Sequence, residues 1–355
     1  MATPYHRLAR ETPAYAWWKL PVAALIIGVT YLLFSVVLVA GAAVYFAAVG
    51  GDSSLDGWLD AAGDLDLERL DYFVLDMLGL AVLLPAVLLG VLATGPRPVG
   101  YLSSVTGRLR WGWLGRTALI SSAVFIATFA LMIAISELVE PSEVDMPSDV
   151  DDKVVLAIGL VILIVPFQAA AEEYVFRGYL MQLVGSWSRF AFLPVVISTP
   201  LFVAGHAYEL WGLLDVAIFG LTAAVLTIRT GGLEAAIAAH TANNVLLLIL
   251  DALGMISASG GEDPGPVDLL PTLVSSVLLV LLIERSARRH GVQRTRPPIP
   301  PPPPPLAPMW PPPPYAMVWG PPPPYVPMRA PEPPPVRLHP QTPEYPGELP
   351  PSWRP

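Results

Sequence analysis

Apolar residues run along this chain in long blocks, and polar residues are crowded into the gaps between them. Eight blocks have the length of a bilayer-crossing helix, roughly 18 to 25 residues each. They lie near 21–49, 72–94, 116–137, 153–171, 190–206, 211–229, 232–251 and 267–284. The first block follows Arg7, Arg10 and Lys19, as a signal peptide would, but it is about twice as long as the apolar part of one. It reads as a retained anchor. Pro166 in the fourth block, and Pro194 and Pro200 in the fifth, break the backbone ladder close to polar residues, which suits helices lining a cavity.

The gaps alternate in charge. Residues 52–71 and 137–152 each carry seven Asp or Glu, whereas "RPVGYLSSVTGRLRWGWLGR" between them is basic, as is "RSARRHGVQRTR" after the last block. Lys and Arg stay on the cytoplasmic side of a membrane. This pattern predicts an all-α, polytopic helix bundle of about eight spans in the cell membrane, with both termini cytoplasmic. Composition agrees, with 54% hydrophobic and 14% charged residues and a mean hydropathy of +0.57. The net charge of −9 belongs to the segregated acidic loops, and no basic nucleic-acid patch is present. The absence of cysteine excludes disulfides, thiolate metal sites and a cysteine nucleophile.

The expected organisation is a cytoplasmic segment 1–20, a membrane domain 21–290 and a tail 291–355 that is basic, then proline-rich. From about residue 297 the tail is close to half proline, so it should be disordered and extended, with nothing to bury. "PPPPY" occurs at 311–315 and 321–325. Proline runs ending in Tyr315 and Tyr325 suit the aromatic grooves of WW-type or SH3-type modules, although a partnerless solvated tail is the simpler expectation on composition.

Within the apolar blocks the charged residues are few. In "AAAEEYVFRGYL", residues 169–180, Glu173 and Arg177 are four apart and share a helix face, while Glu172 is turned away by about 100°. One carboxylate is thereby neutralised and the other is left free. "LFVAGHAY" puts His206 four residues after Phe202, and "AAIAAHTANNVLL" puts Asn244 one turn from His240, with Asn243 beside it. A lone histidine on an apolar face is usually structural, but polar groups on several helices of one bundle point to a shared site.

The ordered triplet "EEYVFR", "FVAGH" and "HTANN" resembles the EExxxR, FxxxH and HxxxN signature of the CPBP intramembrane proteases, the CAAX prenyl endopeptidase or Abi family, over roughly residues 150–250. The resemblance implies an intramembrane endopeptidase acting on a peptide or lipidated protein. Glu172 would be the base that takes a proton from water and His206 would hold that water. His240 and Asn244 would stabilise the oxyanion, with Glu173, Arg177, Phe202 and Asn243 in support. A competing reading puts Zn²⁺ on Glu172, His206 and His240, although the chain has no HExxH. No GxSxG marks a serine mechanism. The other classes to weigh are a non-catalytic scaffold or bacteriocin-immunity-type protein and a transporter, the last disfavoured because the two halves show no inverted repeat of broken polar helices.

Overall fold

The computed structural model describes residues 2–13, 15–50, 53–61, 67–139, 150–256 and 265–298. The proline-rich tail with Tyr315 and Tyr325, and most of the second acidic loop, lie outside the described residues. Among these residues the chain is a helix bundle, and seven helical segments are long and apolar enough to cross a bilayer. It is a multi-pass membrane protein.

The helices are α1 (Lys19–Val49), α2 (Leu55–Asp60), α3 (Leu70–Ala81), α4 (Leu83–Thr94), α5 (Trp111–Val139), α6 (Asp152–Glu173), α7 (Met181–Trp187), α8 (Phe192–Val203), α9 (Leu210–Thr230), α10 (Glu234–Ala252) and α11 (Leu270–Arg289). Helix α2 is a short surface turn. Helices α3 and α4 form one crossing, interrupted at Val82, where Pro85 has no N–H to donate back to Ala81. Helix α6 starts on Asp151, whose side chain accepts from the Val154 N–H at 2.8 Å.

Two blocks end differently from the sequence expectation. The fourth does not stop at its charges: α6 runs into a π-helix, Tyr174–Leu180, and then into α7, a single segment of 36 residues. Glu173 and Arg177 do not end the helix because they find partners inside the bundle. The fifth block, expected over 190–206, is helical only over the 12 residues of α8, about 18 Å long, which is too short to cross alone. After it, residues 204–209 form a turn and an irregular strand before α9 begins. Backbone of this kind at membrane depth must be buried in protein or face water.

Lipid is as apolar as leucine, so helices in a membrane associate by close packing and polar contacts. The bundle follows that rule. Ala235, Ala236 and Ala239 on α10 are fully buried and let α5 approach closely, and Trp113, Phe125, Phe202, Leu279 and Ile283 fill the space around them. Helix α1 instead leaves most of its length exposed, as a lipid-facing helix should.

The basic end of the bundle is closed by an ordered layer. A 3₁₀ helix, Tyr5–Glu11, tucks under α7, where its His6 carbonyl comes so close to Gly185 that a Cβ there would collide. The Tyr5 hydroxyl donates to the Leu102 carbonyl, and burial holds its phenol well above the ordinary value, keeping it a neutral donor. Arg10 donates to the Ser186 carbonyl at 3.0 Å. Two short strands, β1 (Thr3–Pro4) and β2 (Thr295–Arg296), pair antiparallel. The segments before the first crossing and after the last therefore meet at one end of the bundle, and the basic stretch 291–298 is folded against it.

Candidate active site

Four pairs of residues, each spaced i, i+4, build the site on three elements. Gln168 and Glu172 lie on one face of α6, and Glu173 reaches across the next turn to Arg177 in the π-helix. Phe202 lies at the end of α8 and His206 in the irregular stretch that follows it, and His240 and Asn244 share a face of α10. Within a helix, side chains so spaced stand above one another, so the inward faces of the α6 segment and α10, with the end of α8, suffice to assemble a polar cluster.

The cluster has a closed half and an open half. In the closed half, Arg177 Nη1 donates to Glu173 Oε1 at 2.9 Å, and Nη2 donates to the Gly220 carbonyl at 3.0 Å. Its guanidinium lies 4.1 Å from the Phe202 ring centroid, a cation–π contact favoured by desolvation. A side chain at Gly220 would press on both Arg177 and Phe202 at 3.1 Å, so both would have to give way to admit one. His240 Nδ1 also bonds Glu173 Oε1, at 2.8 Å. A carboxylate only accepts here, so Nδ1–H is the donor, which fixes the ring. Its plane is held by Phe219, with ring centroids 5.2 Å apart, and by the edge of Phe202 at 6.0 Å.

The open half begins at the other ring nitrogen. His240 Nε2 faces Glu172 Oε2 at 3.6 Å, beyond a good hydrogen bond. Glu172 is 7% exposed, and its Oε2 is buried without a hydrogen-bond partner. Nearby, Asn243 Nδ2 donates to Asn244 Oδ1 at 3.1 Å, and Asn244 Nδ2 donates to Gln168 Oε1 at 3.3 Å.

Of the sequence candidates, Glu172, Glu173, Arg177 and His240 thus form one contact cluster. His206 joins it only through Phe202: its Nδ1 donates to the Phe202 carbonyl at 2.9 Å and its ring lies 4.8 Å from the Phe202 ring. No hydrogen bond joins His206 to Glu172 among the described residues. The sequence reading passed over Gln168, although its place one turn before Glu172 could have flagged it. Phe219 and the Gly220 carbonyl carry no such signal.

Residues 154–246, which contain every group named above, match a family model described as type II CAAX prenyl endopeptidase Rce1-like. This stretch is similar to the Rce1-like family. The resemblance read from the three motifs therefore holds. Among curated proteins, the uncharacterized protein YyaK of Bacillus subtilis (strain 168) is 28% identical over 174 residues, which is 46% of this chain and 56% of that protein. The chain spans a little over half the length of that relative. No solved structure matches it.

A zinc site needs three or more donor side chains around one point. Among the described residues, no three His, Asp or Glu side chains come together at metal-binding spacing. Glu172 and His240 face one another, and the hydrogen bonds from His240 Nδ1 to Glu173 and from His206 Nδ1 to a main-chain carbonyl orient both rings and leave each Nε2 available.

Proposed function

We propose that this chain is an intramembrane endopeptidase of the CAAX prenyl type in which Glu172 activates the hydrolytic water. The observation that carries this reading is the buried, unpartnered Glu172 Oε2 facing His240 Nε2 across 3.6 Å. Leaving a carboxylate oxygen buried and unpaired is costly, and a water between the two groups would satisfy both.

Glu172 takes a proton from that water as its oxygen attacks the scissile carbonyl carbon. The carbonyl oxygen becomes an oxyanion, met by the N–H of protonated His240 and by the Asn244 amide. Glu173 orients His240, and Arg177 anchors Glu173. When the intermediate collapses, the C–N bond breaks and Glu172 returns its proton to the leaving amine. His206, fixed by the Phe202 carbonyl, offers Nε2 as an acceptor for the water's second hydrogen.

The substrate is a prenylated or otherwise lipid-anchored peptide, delivered laterally by the bilayer. The membrane is the cell membrane, with the basic end of the bundle cytoplasmic. Pairing of β1 with β2 supports placing both flanking segments on one side. The chain is free of cysteine, so sidedness can be read with single cysteines. An impermeant maleimide added to intact cells should label Asp56→Cys and spare Gln293→Cys; labelling of both would contradict this orientation.

The activity is tested with purified full-length protein and a quenched fluorogenic peptide ending in a prenylated CAAX sequence. Wild type should cleave it, and Glu172→Gln should be slower by roughly 100-fold or more with unchanged melting. Partner capture by wild type without cleavage would favour the non-catalytic scaffold instead.

A further inference from the structure

We infer that Gln168 is a positioning residue that fixes which end of the Asn244 amide faces the reacting carbonyl, an inference that rests on the proposed protease reading. An asparagine side chain has two chemically opposite ends of nearly the same shape. Its NH₂ can stabilise a developing oxyanion, whereas its carbonyl oxygen, an acceptor only, would repel one. A 180° turn about the last side-chain bond exchanges them, and that bond is only broadly restricted by sterics. Asn244 therefore needs its orientation set by its neighbours.

The neighbours form a line of three amides across the interface of α6 and α10. Asn243 donates to Asn244 Oδ1 at 3.1 Å, and Asn244 Nδ2 donates to Gln168 Oε1 at 3.3 Å. At both junctions of the line an acceptor meets a donor, so turning Asn244 alone would set oxygen against oxygen at one end and NH₂ against NH₂ at the other. Gln168 is 4% exposed and lies one turn from Glu172 on the same helix, so the group that orients Asn244 shares a rigid element with the proposed base. One hydrogen of Asn244 Nδ2 goes to Gln168 and the second is left for the substrate. Each of the two partners has a distinct task. Asn243 holds the oxygen end from the adjacent position, and Gln168 ties the nitrogen end to the helix that carries Glu172.

Gln168→Met keeps the shape of the side chain and removes the acceptor. The positional half of the inference is read without any substrate. In full-length protein labelled with ¹⁵N at asparagine side chains, the Asn244 amide resonance is assigned by its loss in Asn244→Ala. It should shift in Gln168→Met, and an unmoved resonance overturns the inference. The catalytic half is read on the prenylated CAAX peptide. Turnover of Gln168→Met should fall by roughly 10-fold with little change in KM, and the same substitution in an Asn244→Ala background should cost less than 2-fold more. A loss that multiplies in full on top of Asn244→Ala would mean Gln168 acts on packing and would overturn the inference while leaving the protease reading intact. If Gln168→Met does not fold, Asn243→Ala reads the other end of the same line by the same two measurements. If wild type fails to cleave the peptide, the protease reading falls, and the resonance shift still decides the positioning.

Discussion

Of the three buried carboxylates among the described residues, Glu234 and Glu172 differ most in how fully their oxygens are used. Glu234, at the basic end, is fully buried beside Arg110. Its Oε1 accepts from the Arg110 main-chain N–H and from Nε, both at 2.8 Å, and its Oε2 accepts from Nη2 at 2.6 Å. Arg110 spends its remaining donors on the carbonyls of Thr230 and Gln293. Nothing is left over, and the pair works as a clamp joining α5, α10 and the stretch after α11. Glu172, in the middle of the bundle, has a buried oxygen with no partner and a histidine nitrogen just out of reach. A saturated buried ion pair is architecture, because both carboxylate oxygens already have donors. An unsaturated one has capacity left for a substrate or a water. Glu173 stands between these cases, since one oxygen serves both Arg177 and His240 while Oε2 is unpartnered.

That ranking can be broken by substitution. Glu173→Gln should have the largest effect because it acts on both properties. It leaves Arg177, 1% exposed, as an uncompensated charge, lowering stability by about 3 kcal/mol or more. It also loosens His240, so turnover should fall by roughly 10-fold or more beyond any loss of folded protein, as seen when orienting partners of histidines are removed. Melting in detergent and active-fraction-corrected cleavage check the two parts, and a variant that melts like wild type would remove Glu173 from its structural role. Glu234→Gln should come next, with a loss of about 3 kcal/mol at most, because Arg110 keeps some exposure and its carbonyl acceptors. The molecules that stay folded should cleave at the wild-type rate per active site. A selective loss of turnover in Glu234→Gln would erase the contrast between clamp and site.

The sequence was most legible where one physical rule dominates. Long apolar blocks marked the crossings because hydrocarbon demands about 20 such residues. The i, i+4 spacing of Glu173 and Arg177 foretold their ion pair because it depends only on helical geometry. Hydropathy does not say where an apolar helix unwinds, so α8 proved shorter than its block. It also misled at the end of the fourth block, where buried partners allow the helix to continue through charged residues. Pairings distant in sequence were the least legible: Arg110 and Glu234 are separated by 124 positions, and the acceptor that anchors Arg177 is a main-chain carbonyl at Gly220, which no side-chain pattern announces. The amide line from Gln168 to Asn243 combines both situations, one half set by helix spacing and the other by how α6 meets α10.

The most direct test of the difference between the two carboxylates is to measure cleavage of a prenylated CAAX peptide and thermal melting side by side for Glu172→Gln and Glu234→Gln. Glu172→Gln keeps the volume and hydrogen-bonding reach of the side chain while removing the carboxylate. The prediction is a crossed result. Glu172→Gln should melt like wild type and turn over at least about 100-fold more slowly, and Glu234→Gln should melt lower and turn over normally once corrected for folded protein. Wild-type cleavage by Glu172→Gln would contradict the account, because the unpartnered carboxylate would then not be the base.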